Sequence, residues 1–292
     1  MESHTLLVSV IIPFYNEEEY IRQCVESLIN QDFDRNQYEL IFVDNNSSDG
    51  SRAIVEEYGD VALLTEKEPG AYAARNCGAM AARGEILAFT DADAIAGENW
   101  LLEIITSIDE CLFDFVIGNH RFSESASGFL CLYENHESQK MEYVTTHCNK
   151  QYCLNSAANM AIRKESFHQA GLFNPGIQRG GDIEFVQRYV EKMNDPKIIY
   201  NKAMVVHHCE IRNLKQWFHK RIVYARSRGE IRREYLVKSL PFLQRVHVFK
   251  NWFNSEPAPV YRKCLFIFVL FFGVISWKCI EWPAMAFHAC KR

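Results

Sequence analysis

The run Thr90-Asp91-Ala92-Asp93 sets two carboxylates one residue apart, directly after the apolar stretch Ile86-Leu87-Ala88-Phe89. Side chains alternate along extended backbone, so an Asp-x-Asp that ends a strand projects both carboxylates toward one side. Two hard oxygen ligands at the C-terminal end of a buried strand suit a divalent cation that also holds substrate phosphates. An acidic turn capping the next helix is the other meaning of so short a motif. A second acidic group lies at Gly180-Gly181-Asp182-Ile183-Glu184. Its two glycines allow a backbone turn that aims a carboxylate into a cleft, although either acid could simply cap the helix that follows. His207 and His208 come after the strand-like Ala203-Met204-Val205-Val206. They read as imidazole ligands, which favour Mn²⁺-like metals over Mg²⁺, or as a structural pair.

The elements that must position these groups alternate in type. Val8-Ser9-Val10-Ile11-Ile12-Pro13-Phe14-Tyr15-Asn16 is a β-branched run stopped by proline and predicts a first buried strand. Glu17 to Ile29 carries apolar residues at Tyr20, Ile21, Val25, Leu28 and Ile29, an amphipathic helical spacing. Tyr38-Glu39-Leu40-Ile41-Phe42-Val43 predicts a second strand, ending in the polar loop Asp44-Asn45-Asn46-Ser47-Ser48-Asp49-Gly50-Ser51, which opens a helix around Ala53-Ile54-Val55. Strand, helix, strand, helix, with acids at the strand ends, predicts an α/β sheet whose ligand crevice lies beyond the carboxyl ends of its strands.

Six blocks then carry a specific resemblance. They are Val10-Ile11-Ile12-Pro13-Phe14-Tyr15-Asn16-Glu17, Phe42 to Gly50, Gly70-Ala71-Tyr72-Ala73-Ala74-Arg75-Asn76-Cys77-Gly78, Thr90 to Asp93, Asn159-Met160-Ala161-Ile162-Arg163, and Gly180 to Glu184. In this order, over about two thirds of the chain, they resemble a family 2 glycosyltransferase with the nucleotide-sugar-binding GT-A fold, whereas any one block alone is a weak signal. The tail beyond about Ser239 carries no part of the match.

The resemblance implies a set of roles. Asp44 matches the family's nucleobase-contacting aspartate, and Arg75 the arginine that closes over base and diphosphate. Pro13, Tyr15, Asn16, Glu17 and Asn76 fall on the nucleotide-sugar site with them. The pattern gives Asp93 to the metal and Asp91 to the ribose or to metal-bound water, with His207 and His208 where relatives place a histidine near the metal. Asp182 occupies the position of the catalytic base, with Glu184 as the alternative. Gly181 departs from the Glu-Asp pair the family usually shows there. Asn159 and Arg163 look like the segment shaping the acceptor side, and Arg188 matches a basic residue on the helix after the base. Gly118 to Tyr152, with His120, Arg121, His136 and His147, is expected to carry acceptor specificity.

Composition supports a large core: 292 residues with 48% hydrophobic content suffice for one large domain with an appendage. The ten cysteines are scattered without a Cys-x-x-Cys pair, which argues against a zinc site or a secreted disulfide framework and for reduced thiols. The first strand starts almost at once, leaving no room for a cleavable signal peptide, so the catalytic part is expected to face the cytoplasm. The net charge of −5 hides an asymmetry, because Arg212 to Lys250 holds eleven Lys or Arg against only Glu230 and Glu234. With Trp217, Phe218, Tyr224 and Tyr235 interleaved, this stretch suits an amphipathic helix on anionic lipid better than a nucleic-acid module, none of which accompanies it. A solvated helical face is the alternative. The uncharged run Cys264 to Trp277, flanked by Arg262, Lys263 and Lys278, is short of the roughly 20 residues of a spanning helix. It reads as a short span, a hairpin or an interfacial anchor; a buried core helix is the soluble alternative, against which its position after the domain and its all-round hydrophobicity argue.

These readings combine into two expected parts, a GT-A catalytic domain over 1–238 and a membrane-associating basic and hydrophobic helical tail over 239–292. The expected activity is inverting, metal-dependent transfer of a sugar from a nucleoside-diphosphate sugar, UDP-linked, to a glycan or lipid-linked acceptor at the membrane. Mn²⁺ and Mg²⁺ both suit the oxygen-rich site. A nucleotidyltransferase is the alternative enzyme, though Pro13-Phe14-Tyr15-Asn16-Glu17 lacks the Gly-rich basic loop such enzymes show. A non-catalytic membrane scaffold is the alternative of another class, and the intact Asp44, Asp91, Asp93 and Asp182 speak against it.

Overall fold

The structure is a computed structural model and describes residues 7–122, 128–148, 157–211, 213–222 and 240–270. One mixed sheet of eight strands runs through it in the order β3-β2-β1-β4-β7-β6-β8-β5. The strands are β1 (Val8–Phe14), β2 (Tyr38–Asp44), β3 (Ala62–Thr65), β4 (Ile86–Thr90), β5 (Ala94–Ala96), β6 (Phe115–Phe122), β7 (Asn159–Arg163) and β8 (Ile198–His208). The first half is parallel: β1 pairs with β2 and β4, and β2 with β3. Beyond β4 the direction changes, with β7 antiparallel to both β4 and β6, and β8 parallel to β6 but antiparallel to β5.

The apolar runs of β1 and β4 are buried along their whole length because helices cover both sheet faces. Alternation divides them: Ile11 and Phe89 face the cluster of α3 (Ala71–Ala81), α6 (Lys164–Ala170) and α7 (Gly181–Lys192). Ile12 and Val10 face α1 (Ile21–Ile29), α2 (Ser51–Glu56) and α4 (Trp100–Ile105). In α1 the buried Ile21, Cys24, Val25 and Leu28 fall at helical spacing. The helix expected from Glu17 begins four residues later, because the N–H groups of Tyr20 and Ile21 both bond the Glu17 carbonyl in a turn that leads into it. Helix α3 lies close against β1 on small residues, and a Cβ on Gly78 would stand 2.5 Å from Ile11 Cγ2.

A third apolar cluster joins α5 (Gly128–His147) to the C-terminal part of the chain. Leu130 and Leu132 of α5 pack with Trp217 of the helical residues 214–222, Trp252 of α8 (Phe242–Ser255), and Phe266 and Leu270 of the helical residues 260–270. The expected boundary at 238/239 falls among residues outside the described set. Among the described residues no helix is long and apolar enough to cross a membrane. The apolar run that starts at Cys264 continues past residue 270, outside the described residues.

Candidate active site

Strand β4 ends at Thr90, and the chain turns through Asp91-Ala92-Asp93 into the short β5. Because β5 pairs with β8, Ala94 lies opposite His208, and the Cys209 N–H bonds the Asp93 carbonyl at 2.9 Å. That register brings His208 Nδ1 to 3.4 Å from Asp93 Oδ1. One donor atom from each of Asp91, Asp93 and His208 lies within 4.8 Å of the others. Neighbouring residues of a strand point to opposite faces, so His207 is no part of this cluster, and the expectation that it could serve as a ligand is corrected. His120 of β6 stands behind His208, its Nδ1 3.1 Å from His208 Nε2 and the rings stacked.

The charges around this cluster are uneven. Burial, then Asp93, Glu210 and Asp91, push the Glu17 carboxyl up from 4.5 to about 7. Burial also acts to raise Asp93, but its coulombic and hydrogen-bonding partner His208 outweighs that and holds the group below the usual carboxylate range. His208 in turn is raised by Asp93 against the effect of burial, whereas burial and the facing His208 push His120 down to about 3. Two carboxylates and an imidazole nitrogen, surrounded by further acids that repel one another, fit a divalent cation of the Mn²⁺ type.

These groups open onto a cavity of about 1120 Å³. On its donor side lie Pro13, Tyr15, Glu17, Asn45, Asn46, Gly70, Arg75 and Asp91. Arg75 is buried on α3, ion-paired with Asp91, its guanidinium 5.3 Å from the Tyr72 ring centroid and its Nε without a hydrogen-bond partner. Three donor-side candidates, Asp44, Asn16 and Asn76, lie outside the cavity lining and bond the loops beside it. The buried Asp44 accepts the Ser47 N–H at 2.9 Å and lies 3.4 Å from Arg52 Nη1. Asn16, at φ 56°, accepts the Ser48 N–H. Asn76 both donates to the Phe173 carbonyl and accepts its N–H.

Asp182 lines the same cavity from the first turn of α7. The N-cap residue Gly180 has no side chain to cap that helix, and the Asp182 carboxylate accepts the Tyr72 hydroxyl at 3.1 Å and the Ala157 N–H at 3.4 Å. Glu184, the alternative base, is buried, gripped through both oxygens by Arg188 at 2.7 and 2.9 Å, and lies outside the cavity lining. Arg188 also donates to the carbonyls of Ala170, Gly171 and Leu172, tying α7 to the end of α6.

Of the expected acceptor segment, α5 supplies Tyr133, Glu134, Glu137 and Lys140 to the wall, faced by Trp217, Lys220 and Arg221. His136 packs instead against Phe249 and Trp252, and His147 stacks on Tyr143. Asn159 is a buried knot rather than an acceptor contact: its amide donates to the carbonyls of Asn119 and Met204 and accepts the Trp100 indole N–H at 2.8 Å. Arg163 pairs with Asp109 and Asp114 away from the cavity. Sequence reasoning gave no role to Tyr72, although its three-residue spacing from Arg75 on one helix face was a usable signal. It also missed Glu210, whose nearness to Asp93 arises only from the pairing of β5 with β8.

A strand-end acidic pair, facing a second carboxylate across one cleft of a mixed α/β sheet, defines a GT-A-like nucleotide-sugar fold. The chain belongs to glycosyltransferase family 2: the model described as Glycosyl transferase family 2 matches residues 9–171, more than half of the sequence. Among curated proteins it is 30% identical over 194 residues to glycosyltransferase AglE of Haloferax volcanii, covering 64% of this chain and 62% of that protein. It is 34% identical over 129 residues to glycosyltransferase GlyG of Streptococcus pneumoniae, covering 42% of each. The chain thus spans less than two thirds of these relatives. Among solved structures, the mannosyltransferase PcManGT of Pyrobaculum calidifontis in complex with GDP-Man and Mn²⁺ aligns over 96% of this chain and 85% of its own, at TM-score 0.63 and 19% identity. S. aureus TarS 1-349 in complex with UDP aligns over 96% and 91%, at TM-score 0.59 and 17% identity. At these identities the likeness shows the fold.

Proposed function

We propose that this chain is an inverting, divalent-metal-dependent glycosyltransferase that moves a sugar from a nucleoside-diphosphate sugar, UDP-linked, onto a hydroxyl of a membrane-borne glycan or lipid-linked acceptor. The observation that carries this reading is that Asp91, Asp93 and His208 share one cavity with Asp182. Solved relatives were captured with UDP, with UDP-GlcNAc, and with GDP-Man and Mn²⁺, which supports a nucleotide-sugar donor at that site.

Asp91, Asp93 and His208 would hold the cation, which when bound neutralises charge developing on the departing diphosphate. Pro13, Tyr15, Asn45 and Asn46 form the wall for the nucleoside, and Arg75, ion-paired with Asp91, lines the cavity beside them. On the other side the Asp182 carboxylate accepts the proton of the acceptor hydroxyl as that oxygen attacks the anomeric carbon. With a single carboxylate as base and no enzyme nucleophile, the displacement is single and inverts configuration.

The membrane part of the reading rests on the tail. Phe242, Leu243, Val246, Val260, Tyr261, Leu265 and Phe268 are exposed on its described helices, beside Lys250 and Arg262. Apolar side chains flanked by cations suit the headgroup boundary of anionic lipid. The test is a screen of UDP, GDP and TDP sugars for nucleotide release with and without Mn²⁺, together with flotation on anionic vesicles. Release that is metal-independent, or absent with every donor, contradicts the enzymatic part, and a chain that stays unbound to the vesicles contradicts the membrane part.

A further inference from the structure

We infer that Tyr72 is the positioning residue of the Asp182 carboxylate, and that Gly181 is glycine because the Tyr72 ring occupies the space of its side chain. The inference rests on the reading of Asp182 as the base.

Tyr72 is buried in the first turn of α3. Its hydroxyl donates to Asp182 Oδ1 at 3.1 Å and accepts the Asp182 backbone N–H at 3.2 Å. A hydroxyl can do both at once. The second bond satisfies one of the N–H groups left open at the start of α7, where Gly180 offers no side chain to cap it. One oxygen therefore holds both the backbone and the carboxylate of the same residue, which fixes the direction in which Asp182 points.

The ring is held as firmly as the hydroxyl. It lies 5.4 Å from the Phe173 ring and 5.3 Å from the Arg75 guanidinium carbon. Gly181 is its third neighbour: a Cβ there would stand 2.8 Å from Tyr72 Cε2 and 3.0 Å from Cδ2 and Cζ. Gly70, Gly171 and Gly180 have positive φ, but Gly181 does not, so its backbone would accept any residue. Space alone demands the glycine. This accounts for the departure from the family's Glu-Asp pair, since a glutamate at 181 would drive the ring and its hydroxyl away from Asp182.

The arrangement also joins the two sides of the cavity. Tyr72 and Arg75 stand three residues apart on one helix, the first gripping Asp182 and the second Asp91. Helix α3 thereby sets the base relative to the donor carboxylate.

The experiment uses the full chain, the donor sugar selected by the screen above with Mn²⁺, and water in place of the acceptor hydroxyl, reading UDP or other nucleotide release. Tyr72→Phe keeps the ring and removes the hydroxyl. The expected result is a fall in kcat of roughly tenfold with the donor KM unchanged, the pattern of an interaction used in the transition state. On an Asp182→Asn background the same change should have less than about a twofold further effect, because residues acting as a unit are not additive. Gly181→Ala should lower kcat in the same way. Full activity of Tyr72→Phe beside an impaired Asp182→Asn overturns the positioning role alone. An equal, independent loss on the Asp182→Asn background also overturns it. Full activity of Asp182→Asn by itself overturns the base assignment and the inference with it, while unchanged kcat in Gly181→Ala refutes the account of the glycine.

Discussion

Glu17, Asp91, Asp93 and Glu210 crowd one end of the cavity, and their mutual repulsion there would be relieved by a bound cation. Removal of Asp93 leaves one carboxylate and an imidazole, so Asp93→Ala is expected to lower Mn²⁺-dependent UDP affinity by at least about tenfold, since even the groups that merely orient metal ligands cost that much. Calorimetry with UDP and Mn²⁺ checks this, and unchanged affinity contradicts the metal assignment. Glu17 makes a separate prediction for the metal-free protein. Its proton is held more tightly in the folded chain than in the unfolded one, burial being the first cause. The stability this contributes is fully present below 4.5 and is lost as pH rises through about 7. Glu17→Gln should therefore flatten the decline in melting temperature between pH 5 and pH 8, and Mn²⁺ should narrow the difference between the two proteins. Superimposable pH profiles would count against the crowding. At this scale part of the site was legible in the sequence: Asp91 and Asp93 lie in the turn between β4 and β5, Asp182 lies in the first turn of α7, and all three line the cavity. His208 could not be told from His207, because only the pairing of β5 with β8 chooses which imidazole meets Asp93. Asp44, Asn16 and Asn76 each bond the loops beside the site, contacts that no motif spacing reveals.

Helix α3 is the element on which the site depends, since it presents Tyr72, Arg75 and Asn76 from one short stretch of small residues. Its closeness to β1 has a direct test. In Gly78→Ala the added methyl would meet Ile11 Cγ2 at 2.5 Å, and overpacking of this kind is expected to cost about 1–3 kcal/mol. Thermal unfolding measures it; a variant as stable as the parent would mean that α3 and β1 separate easily, and the fixed geometry of Arg75 and Tyr72 would lose its footing. The strand and helix order was readable here because buried parallel strands are continuous apolar runs and α1 has a clean helical stripe. The start of α1 was less so, since the turn at Glu17 depends on backbone bonds rather than on side-chain type. Glu184 shows the complementary lesson. Its Asp-x-Glu spacing suggested a second base, yet an arginine four residues on was already in the sequence to claim it.

Across the whole molecule, the tail and the catalytic core are physically continuous in the described residues. The rings of Trp252 and Phe266 lie 4.7 Å apart within the cluster that holds α5, and α5 lines the cavity. Periodicity and charge suggested an appendage, because neither shows that α5 has an apolar face awaiting the tail. Truncation after residue 256 removes Phe266 and Leu270 from that core, so it is expected to lower the melting temperature as well as vesicle binding; loss of binding alone would mean that the tail packs on nothing. The central claim, that one cavity joins a donor metal site to the Asp182 base, is tested most directly by comparing Asp182→Asn with Glu184→Gln in transfer from the selected donor, with donor affinity measured alongside. Asp182→Asn should lose about 100-fold or more in rate, the range of general-base catalysis, while binding donor as the parent does. Glu184→Gln should lose far less. An active Asp182→Asn beside an inactive but folded Glu184→Gln would contradict the account.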